Sequence, residues 1–387
     1  MQHDFYKNAN QIFMKKRNLK HNRRDFVKKI GLGTALTCTS GSLVNGTYAQ
    51  IAAANTNEKH GSQRLLPKQL EEWEKAQYGM FIHFGMSTYT GRELADGKTP
   101  VPASTYAPDK LDVDQWVSVA RDAGMKYAVL TTKHVAGHCL WPSNHTKYSV
   151  KNSTNKTDVV GEFVKSCERR GVKPGLYYCS WDNHNRFGSK TPTDGGDWDG
   201  MNSFPIDQTG DFSPYTTSLY QSFQTAQVTE LLNNYGPIFE MWIDIPGILG
   251  RGYRTYLYNH IASLQPDAVI MMNSGFGDGT NYNVDYAWPS DIIAIERDWP
   301  SPKGYPKYRT IEGKEYYIPG EHCDPIGKNW FYVPEDQPRS DSELLRQYEQ
   351  TRKSGVNFLL NIPPDKSGII QKKYADSLSR LRKSADI

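Results

Sequence analysis

The amino-acid sequence predicts an α/β protein built as a single (β/α)8 barrel. From about residue 69 onward, short apolar runs alternate with longer helical stretches, a pattern typical of a parallel sheet covered by helices. The apolar runs are nearly continuous, as expected for strands buried on both faces. Polar, potentially reactive side chains recur where these runs end, and barrel enzymes place their active sites at that end of the strands. Those residues are His83, His134, Trp181-Asp182, Asp244 and Glu296, with Asn361 as a further candidate.

An open, doubly wound sheet is the alternative that the alternation also allows. Such a sheet concentrates its site at one switch point and often carries a glycine-rich phosphate-binding turn. No GxGxxG or P-loop pattern follows any predicted strand. We therefore prefer the closed barrel, since its strand ends converge on one pocket.

Seven strands and six helices follow from the apolar periodicity. The strands are predicted at 79–86, 127–134, 173–182, 238–245, 268–275, 292–296 and 357–363. The helices are predicted at 114–124, 159–171, 215–235, 253–264, 341–354 and 371–383. Two irregular stretches, 183–211 and 299–317, are predicted as long loops at the rim of the pocket, because loops of that length in compact domains are usually functional.

Residues 1–49 are predicted to be a twin-arginine-type export signal. Arg23-Arg24 is followed by Asp25-Phe26, an apolar small-residue stretch over 30–44, and the small-residue cleavage motif at 47–49. The apolar stretch is too short and too polar for a membrane span. The sequence therefore predicts an exported protein, periplasmic or secreted, with a linker at 50–67 and the catalytic barrel at 68–387.

The charge balance argues against a nucleic-acid partner. Residues 1–49 hold nine Lys/Arg and two Asp/Glu, whereas the rest of the chain carries slightly more acidic than basic residues. The four cysteines after the signal show no metal-ligand spacing, which predicts neither a zinc site nor a disulfide framework. Free thiols fit a protein that folds in a reducing cytoplasm before export. These cysteines are Cys139, Cys167, Cys179 and Cys323.

Asp244 is the best candidate for a reactive carboxylate. It ends the mostly apolar run at 238–243, where a charge is costly unless it has a purpose. Trp242 lies two residues earlier and so points to the same face of the strand. An aromatic ring beside a carboxylate suits sugar stacking next to a nucleophile. Alternatively, Asp244 caps the turn that Pro246-Gly247 begins.

Glycoside hydrolysis needs a second carboxyl group facing the first across the sugar. Glu296 ends the apolar run at 292–295, and Arg297 follows it. Glu321 precedes the aromatic group at 330–332. Either glutamate fits the role, and either one also fits an ordinary salt bridge.

His83 and His134 lie at the ends of two predicted strands and could donate hydrogen bonds to sugar hydroxyls. A histidine among apolar residues is otherwise a common part of a protein core. His134 with His138 also suggests a metal pair, as in barrel metallohydrolases. No HxH or HExxH spacing is present, and we expect neither metal nor cofactor.

Seven segments of the sequence resemble motifs of glycoside hydrolase family 29, the α-L-fucosidases, and they occur in the same order as in that family. The resemblance covers about residues 77–368. The segments are YGMFIHFGMSTYT at 78–90, GRELADG at 91–97, KHVAGHCLWPS at 133–143, GLYYCSWD at 175–182, MWIDIPG at 241–247, IIAIERDWP at 292–300 and NFLLNIPPDKSG at 357–368.

The resemblance implies an exo-acting, retaining hydrolase of terminal α-L-fucosyl residues that needs no cofactor. Asp244 matches the nucleophile, and Glu296 is the acid/base, with Glu321 as the fallback or as a pocket-wall residue. Sugar-contacting positions match His83, Glu93, His134, Trp242 and Tyr178, or its neighbour Tyr177; Trp181 is a further pocket residue.

Three positions depart from the family pattern. Val135 stands where a sugar-contacting histidine is usual, His138 replaces a phenylalanine and Leu94 replaces a tryptophan. An α-L-galactosidase or related α-L-glycosidase is therefore an alternative, and a catalytically inactive sugar-binding barrel is another. We expect a single catalytic domain without the C-terminal β-sandwich that often follows the barrel in this family.

Overall fold

The computed structural model describes residues 59–94, 101–185 and 214–387. The predicted export signal and most of the predicted loop at 183–211 lie outside these residues. Within the described part, no helix is long and apolar enough to cross a bilayer.

Eight parallel strands form the barrel, as the sequence predicts. Their order is β5-β4-β3-β2-β1-β10-β9-β6, and β7 and β8 form a separate antiparallel hairpin. Isolated parallel bridges, Met271 to Ile292 and Phe276 to Glu296, join the two ends of this order and close the ring. The strands are β1 Tyr78–Ile82, β2 Tyr127–Lys133, β3 Lys173–Cys179, β4 Glu240–Asp244, β5 Val269–Met272, β6 Ile293–Glu296, β7 Tyr308–Ile311, β8 Lys314–Tyr317, β9 Gly320–Pro325 and β10 Asn357–Asn361.

All six predicted helices are present, and side-chain caps set the start of several. Asp112, Asp158, Thr217 and Ser340 each accept a backbone N–H of the first turn, which satisfies a donor that the helix leaves unpaired. The helices are α1 Pro67–Glu74, α2 Met86–Thr90, α3 Val113–Asp122, α4 Val159–Arg170, α5 Ser218–Asn234, α6 Arg251–Leu264, α7 Val284–Ala287, α8 Asp341–Lys353 and α9 Lys372–Ala385.

Alternation along the strands divides the core in two. On β4, Met241 and Ile243 pack outward against the helices, whereas Trp242 packs inside the barrel. The same alternation turns Glu240 and Asp244 inward, at the beginning and at the end of the strand. Every inward residue at a strand's carboxyl end therefore faces the same opening.

The eighth barrel strand, β9, is the element that the apolar periodicity misses. Its sequence, GEHCDP, contains no apolar run, yet every residue is buried. His322 is bound by the carbonyl of Ile295 and by Gln347, and Asp324 by Arg339. Together with Tyr127 and Trp242, which donate to Glu321 on the other face, these partners stabilise the strand in place of the hydrophobic burial on which the prediction relied.

The stretch predicted as the loop at 299–317 contains the hairpin β7–β8. Ile311 and Ile318 pack with Ile293 and Ile295 of β6 into a third cluster. The hairpin therefore covers the outside of β6 with apolar side chains, the role that helices have for other strands.

The described end of the predicted linker is bound to the barrel. The Gln63 side chain exchanges two 2.8 Å hydrogen bonds with the backbone of Tyr317. Arg64 donates to the carbonyls of Pro266 and Ala268 and pairs with Asp291. Residues 63 and 64 are thus part of the domain rather than a free connection.

Candidate active site

Three neighbouring strand ends bring Asp244, Asn273 and Glu296 together. Asp244 ends β4, Asn273 directly follows β5, and Glu296 ends β6. The Nδ2 of Asn273 donates to Asp244 Oδ1 at 2.7 Å and to Glu296 Oε2 at 2.9 Å. The distance between Asp244 Oδ1 and Glu296 Oε2 therefore cannot exceed the sum of these two hydrogen-bond lengths. This limit is close to the separation of about 5–5.5 Å between the carboxyl groups of retaining glycosidases.

Asp244 accepts three hydrogen bonds. Besides Asn273, the Tyr177 hydroxyl donates to Oδ2 at 2.6 Å and the backbone N–H of Ile245 to Oδ1 at 2.8 Å. Burial raises the pKa of Asp244, and the three donors oppose that rise by stabilising the charged form. The arrangement stabilises a carboxylate with a fixed orientation.

Glu296 has the environment of a proton carrier. Burial and then the charge of Asp244 raise the pKa of Glu296 to about 8, with a smaller contribution from Glu93, while Asn273 and Arg297 oppose the rise. Its side chain accepts the Asn273 bond, whereas Asp244 accepts three. The proton of the pair therefore resides on Glu296, and the negative charge resides on Asp244.

Tyr177, and not Tyr178, lies in the site. The two neighbours point to opposite sides of β3. The Tyr177 hydroxyl binds Asp244, whereas the Tyr178 hydroxyl donates to Gln227 of α5 at 2.8 Å and its ring lies under the Lys133 ammonium at 4.2 Å. The prediction of Tyr178 is wrong, and its stated alternative takes the position.

His83 and His134 form part of an aromatic wall. Their rings are 5.7 Å apart, and the ring of Phe331 lies within 5.3 Å of both. His134 also stacks on Tyr177, with ring centroids 5.6 Å apart. The wall thus connects the two histidines to the phenol that binds Asp244.

Both imidazoles are neutral. Burial lowers the pKa of His83 well below its ordinary value and that of His134 to about 3. His83 Nδ1 is bonded to Asn361 Oδ1 at 2.8 Å, while His134 Nδ1 has no partner among the described residues. A neutral imidazole can donate to or accept from a hydroxyl without bringing charge into the site.

Trp242 lies below Asp244 and is only 2% exposed. Its ring stacks on Tyr177 at 5.9 Å, and its Nε1 donates to Glu321 Oε2 at 2.9 Å. Trp242 is therefore the buried support of the site, one layer beneath the carboxylates, rather than an open surface.

Glu321 lies at the base of the barrel. It is the second residue of β9 and pairs with Ala294, two residues before Glu296. Tyr127 and Trp242 donate to its two oxygens, and Glu240 is its carboxyl neighbour. The fallback role of Glu321 as acid/base is wrong, because the Trp242 layer separates it from the level of Asp244.

Trp181, Glu93 and Val135 border the site. Trp181 is half-buried and donates to Asn183 Oδ1 at 2.8 Å. Glu93 is half-buried, and its carboxylate contributes to the raised pKa of Glu296. Val135 is buried in the inner core cluster with Tyr177. Of these three residues, Glu93 is the one that carries a charge, and this charge acts on Glu296 of the carboxyl pair.

His138 faces away from the site. Its Nε2 is bonded to Ser153 Oγ at 2.8 Å, and its ring stacks on Tyr106 at 5.0 Å. Both partners belong outside the barrel, so His138 does not compensate for the histidine that Val135 replaces. In the described residues, no group of three or more His, Cys, Asp or Glu side chains is arranged to hold a metal ion.

Sequence reasoning assigned no role in the site to Asn273, or to Trp330 and Phe331 of the aromatic group at 330–332. The ring of Trp330 lies 5.0 Å from His83. The rule that identified the other residues could also have found Asn273, because Asn273 is a polar residue directly after the apolar run 268–272. Trp330 lies after β9, the strand that the periodicity did not reveal.

Comparison with known proteins identifies relatives over most of this chain. The family model described as alpha-L-fucosidase matches residues 101–383. Alpha-L-fucosidase 1 of Arabidopsis thaliana is 31% identical over 359 residues, which are 87% of this chain and 65% of the relative. Putative alpha-L-fucosidase 1 of Oryza sativa subsp. japonica is 31% identical over 77% of this chain. This chain covers 54% of the rice protein, so it spans less than two thirds of either plant relative.

Solved structures show the same similarity. A putative alpha-L-fucosidase from Bacteroides thetaiotaomicron superposes with a TM-score of 0.65 and 29% identity, covering 82% of this chain and 67% of its own. Alpha-L-fucosidase AlfC from Lactobacillus casei, solved with its alpha-L-fucose product, superposes with a TM-score of 0.63 and 25% identity. That match covers 82% of this chain and 98% of the Lactobacillus chain.

Proposed function

Because the chain belongs to the α-L-fucosidase family of glycoside hydrolases, we propose that it is an exo-acting, retaining α-L-fucosidase. It removes terminal α-L-fucosyl residues from oligosaccharides or polysaccharides by double displacement. The observation that carries this proposal is the single amide of Asn273, which donates to both Asp244 and Glu296. One donor shared by two carboxyl groups keeps them close enough for the spacing that retention requires.

In the first step, Asp244 attacks the sugar. A carboxylate oxygen of Asp244 forms a bond to the anomeric carbon while the bond to the leaving oxygen breaks. Glu296 transfers its proton to that oxygen, so the leaving group departs as a neutral alcohol. The raised pKa of Glu296 supports this role, because the proton is still present at neutral pH.

In the second step, water releases the sugar. Glu296, now a carboxylate, takes a proton from a water molecule that attacks the anomeric carbon. The bond between that carbon and Asp244 breaks, and Asp244 regains its charge. Tyr177 and the Ile245 N–H stabilise this charge through the bonds they already donate.

Among α-L-sugars, we propose that fucose is preferred over L-galactose. Fucose carries a methyl group where L-galactose carries a hydroxymethyl group. Val135 lies in an apolar cluster with Trp330 and Phe331, and His138 faces the other way. The proposal takes the C5 substituent of the sugar to contact this cluster, where burial of a hydroxyl without a partner would cost about 1–3 kcal/mol. We expect higher kcat/KM on 4-nitrophenyl α-L-fucoside than on the matching α-L-galactoside, and equal values would favour the galactosidase alternative.

The decisive experiment follows the anomer released first. In NMR spectra recorded during hydrolysis of 4-nitrophenyl α-L-fucoside, the α anomer of fucose should appear before mutarotation. Initial release of the β anomer would contradict retention. No release from aryl, disaccharide and polysaccharide fucosides would support a sugar-binding barrel without activity.

We also propose export through the twin-arginine pathway, on the basis of Arg23-Arg24 and the apolar stretch after them. The four free, buried cysteines of the described residues support folding in a reducing compartment. Fractionation of cells expressing the full chain should find processed protein outside the cytoplasm. Replacement of both arginines by lysine should retain it inside; unchanged export would contradict the proposal.

A further inference from the structure

Asn361 bridges two parts of the aromatic wall. It ends β10, is fully buried and pairs with Phe81, two residues before His83. Its Oδ1 lies 2.8 Å from His83 Nδ1, and its Nδ2 donates to the backbone carbonyl of Trp330 at 2.8 Å. One amide therefore holds both the imidazole of His83 and the chain that carries the Trp330 ring.

The carbonyl of Trp330 decides how this amide is oriented. A carbonyl oxygen only accepts hydrogen bonds, so the part of the Asn361 amide that faces it must be the NH2 group. The Oδ1 then faces His83, and an amide oxygen also only accepts. The hydrogen between Asn361 Oδ1 and His83 Nδ1 is therefore carried by Nδ1.

Because His83 is neutral, its other nitrogen carries no hydrogen. Burial is the main cause that lowers the pKa of His83, and His134 and the charge of Arg297 lower it further; the bond to Asn361 opposes these effects. A neutral imidazole has one hydrogen, which here is on Nδ1. The Nε2 of His83 therefore presents a lone pair and can only accept a hydrogen bond.

Nε2 is the polar atom that His83 offers to the site. It has no hydrogen-bond partner among the described residues, and it is not one of their enclosed polar atoms that lack a partner. The rings of Phe81 and Phe331, at 4.5 and 5.3 Å from the His83 ring, supply no donor. The Tyr177 ring lies 5.8 Å away, and its hydroxyl binds Asp244.

The proposed reaction places a fucosyl ring against Asp244, beside this wall. We propose that Asn361 is a positioning residue that fixes His83 as the hydrogen-bond acceptor for one free hydroxyl of the fucosyl ring. A methyl ether or a sulfate ester at the same oxygen has no hydrogen to donate, and a site that pairs with a substrate hydroxyl rejects analogues that lack it. Fucosyl residues substituted at that oxygen are therefore excluded. This inference rests on the proposed fucosidase activity.

The first test measures the binding of fluorinated substrates to Asp244→Asn by calorimetry. The ligands are 4-nitrophenyl α-L-fucoside and its three analogues with fluorine in place of the 2-, 3- or 4-hydroxyl. Fluorine is close to a hydroxyl in size but cannot donate. We expect one analogue to bind at least roughly tenfold more weakly than the parent, and a further His83→Phe substitution should abolish most of that ratio. No loss that depends on His83 would contradict the acceptor role.

The second test determines directly which nitrogen carries the hydrogen. Nitrogen NMR spectra of protein labelled at its histidines distinguish protonated from unprotonated ring nitrogens, and His83→Phe identifies the signals of His83. We expect the hydrogen of wild-type His83 on Nδ1, and a hydrogen on Nε2 would overturn the inference. Asn361→Leu removes the acceptor and should move the hydrogen partly or wholly to Nε2.

Asn357→Leu is the matched control. Asn357 begins the same strand, is also buried and donates to the backbone carbonyl of Trp73 at 3.2 Å. In the Asp244→Asn background, Asn361→Leu should lower the ratio between the parent and the weakest analogue, whereas Asn357→Leu should leave the ratio and the tautomer unchanged. Equal changes in both variants would mean that Asn361 only supports the fold.

Failure of this inference can be distinguished from failure of the proposed function. If the wild type hydrolyses 4-nitrophenyl α-L-fucoside but His83 carries its hydrogen on Nε2, the fucosidase proposal stands and the role of Asn361 is wrong. If the wild type neither binds nor hydrolyses the fucoside while its circular dichroism spectrum shows a folded barrel, the fucosidase proposal fails, and the hydroxyl requirement fails with it.

Discussion

Two pairs of carboxyl groups lie inside the barrel at different levels, and their surroundings differ. The upper pair is Asp244 and Glu296, half-buried at the open end. The lower pair is Glu240 and Glu321, both fully buried at the base. Glu240 and Asp244 are the first and last residues of β4, roughly 13 Å apart along the strand. Trp242 lies between the two levels.

In both pairs, the hydrogen-bond donors decide which group keeps the proton. Asp244 accepts three bonds while Glu296 accepts one from Asn273. Glu321 accepts from Tyr127 and Trp242, whereas Glu240 accepts from Trp73. Burial and then the neighbouring Glu321 charge raise the pKa of Glu240 well above its ordinary value. The charge thus rests on Asp244 and Glu321, and only the upper proton can reach a substrate.

The largest expected effect is at Asp244. Asp244→Asn keeps the shape but removes the nucleophilic charge, so kcat on 4-nitrophenyl α-L-fucoside should fall by at least roughly a thousandfold. Asp267→Asn, at an exposed residue at the base, is the matched control and should retain activity. Near-normal turnover of Asp244→Asn would mean that Asp244 is not the nucleophile and that the upper pair has no special catalytic role.

Glu296→Gln should be the next largest, and its effect should depend on the leaving group. Disaccharides need protonation and should lose about 10²- to 10⁴-fold in kcat; 2,4-dinitrophenyl α-L-fucoside, whose leaving group needs none, should lose less in the first step. In the wild type, activity on disaccharides should fall as pH rises through about 8, because the acid then loses its proton. If the activity of Glu296→Gln still declined at alkaline pH, the decline would be due to another group.

Asn273→Ala should have an intermediate effect. The variant removes the donor shared by Asp244 and Glu296, and hydrogen bonds to charged groups contribute about 1.5–3 kcal/mol. We expect kcat/KM to fall roughly 10- to 100-fold. Since Asn273 lowers the pKa of both carboxyl groups, both limbs of the pH profile should move to higher pH. If Asn273→Ala lowered the rate but left the pH profile unchanged, the role of Asn273 would be structural only.

The lower pair should affect stability more than catalysis. Glu321→Gln leaves one acceptor oxygen where Tyr127 and Trp242 use two, so the free energy of unfolding should drop by about 1–3 kcal/mol. Glu240→Gln replaces a protonated carboxyl by a neutral amide of the same shape and should be tolerated. Urea unfolding of both variants at pH 7 measures the difference, and equal losses would contradict the assignment of the proton to Glu240.

The pH dependence gives a smaller, sharper test of the same assignment. A raised pKa in the folded state means that folded Glu240 binds its proton more tightly than unfolded Glu240 does. Its contribution to stability is therefore complete below the ordinary glutamate pKa and is lost as pH rises toward the raised value. The Tm of Glu240→Gln minus that of the wild type should increase with pH. A constant difference would mean that Glu240 is already ionised.

Much of the barrel could be predicted because strand alternation is a local property. Apolar runs located seven of the eight barrel strands, and the polar residues that ended them included Asp244 and Glu296. The prediction failed at β9, where Glu321, His322 and Asp324 are buried by partners far away in the sequence. The hydrophobic pattern of a sequence does not identify such partners, so Glu321 was kept as the fallback acid/base although it lies at the base of the barrel.

The sequence by itself determined the family, the barrel and the strand ends on which reactive carboxyl groups lie, because the period of two fixes which residues face inward. The tertiary structure decided which of those residues meet. It places Tyr177 rather than Tyr178 in the site and Glu296 rather than Glu321 beside Asp244. It also places the Asn273 amide within hydrogen-bond distance of both carboxyl groups. Tyr177 and Asn273 reach Asp244 from the strands on either side of β4, whereas Asn273 reaches Glu296 only because the ring closes between β5 and β6. These hydrogen bonds are set by distance in space rather than by spacing along the chain.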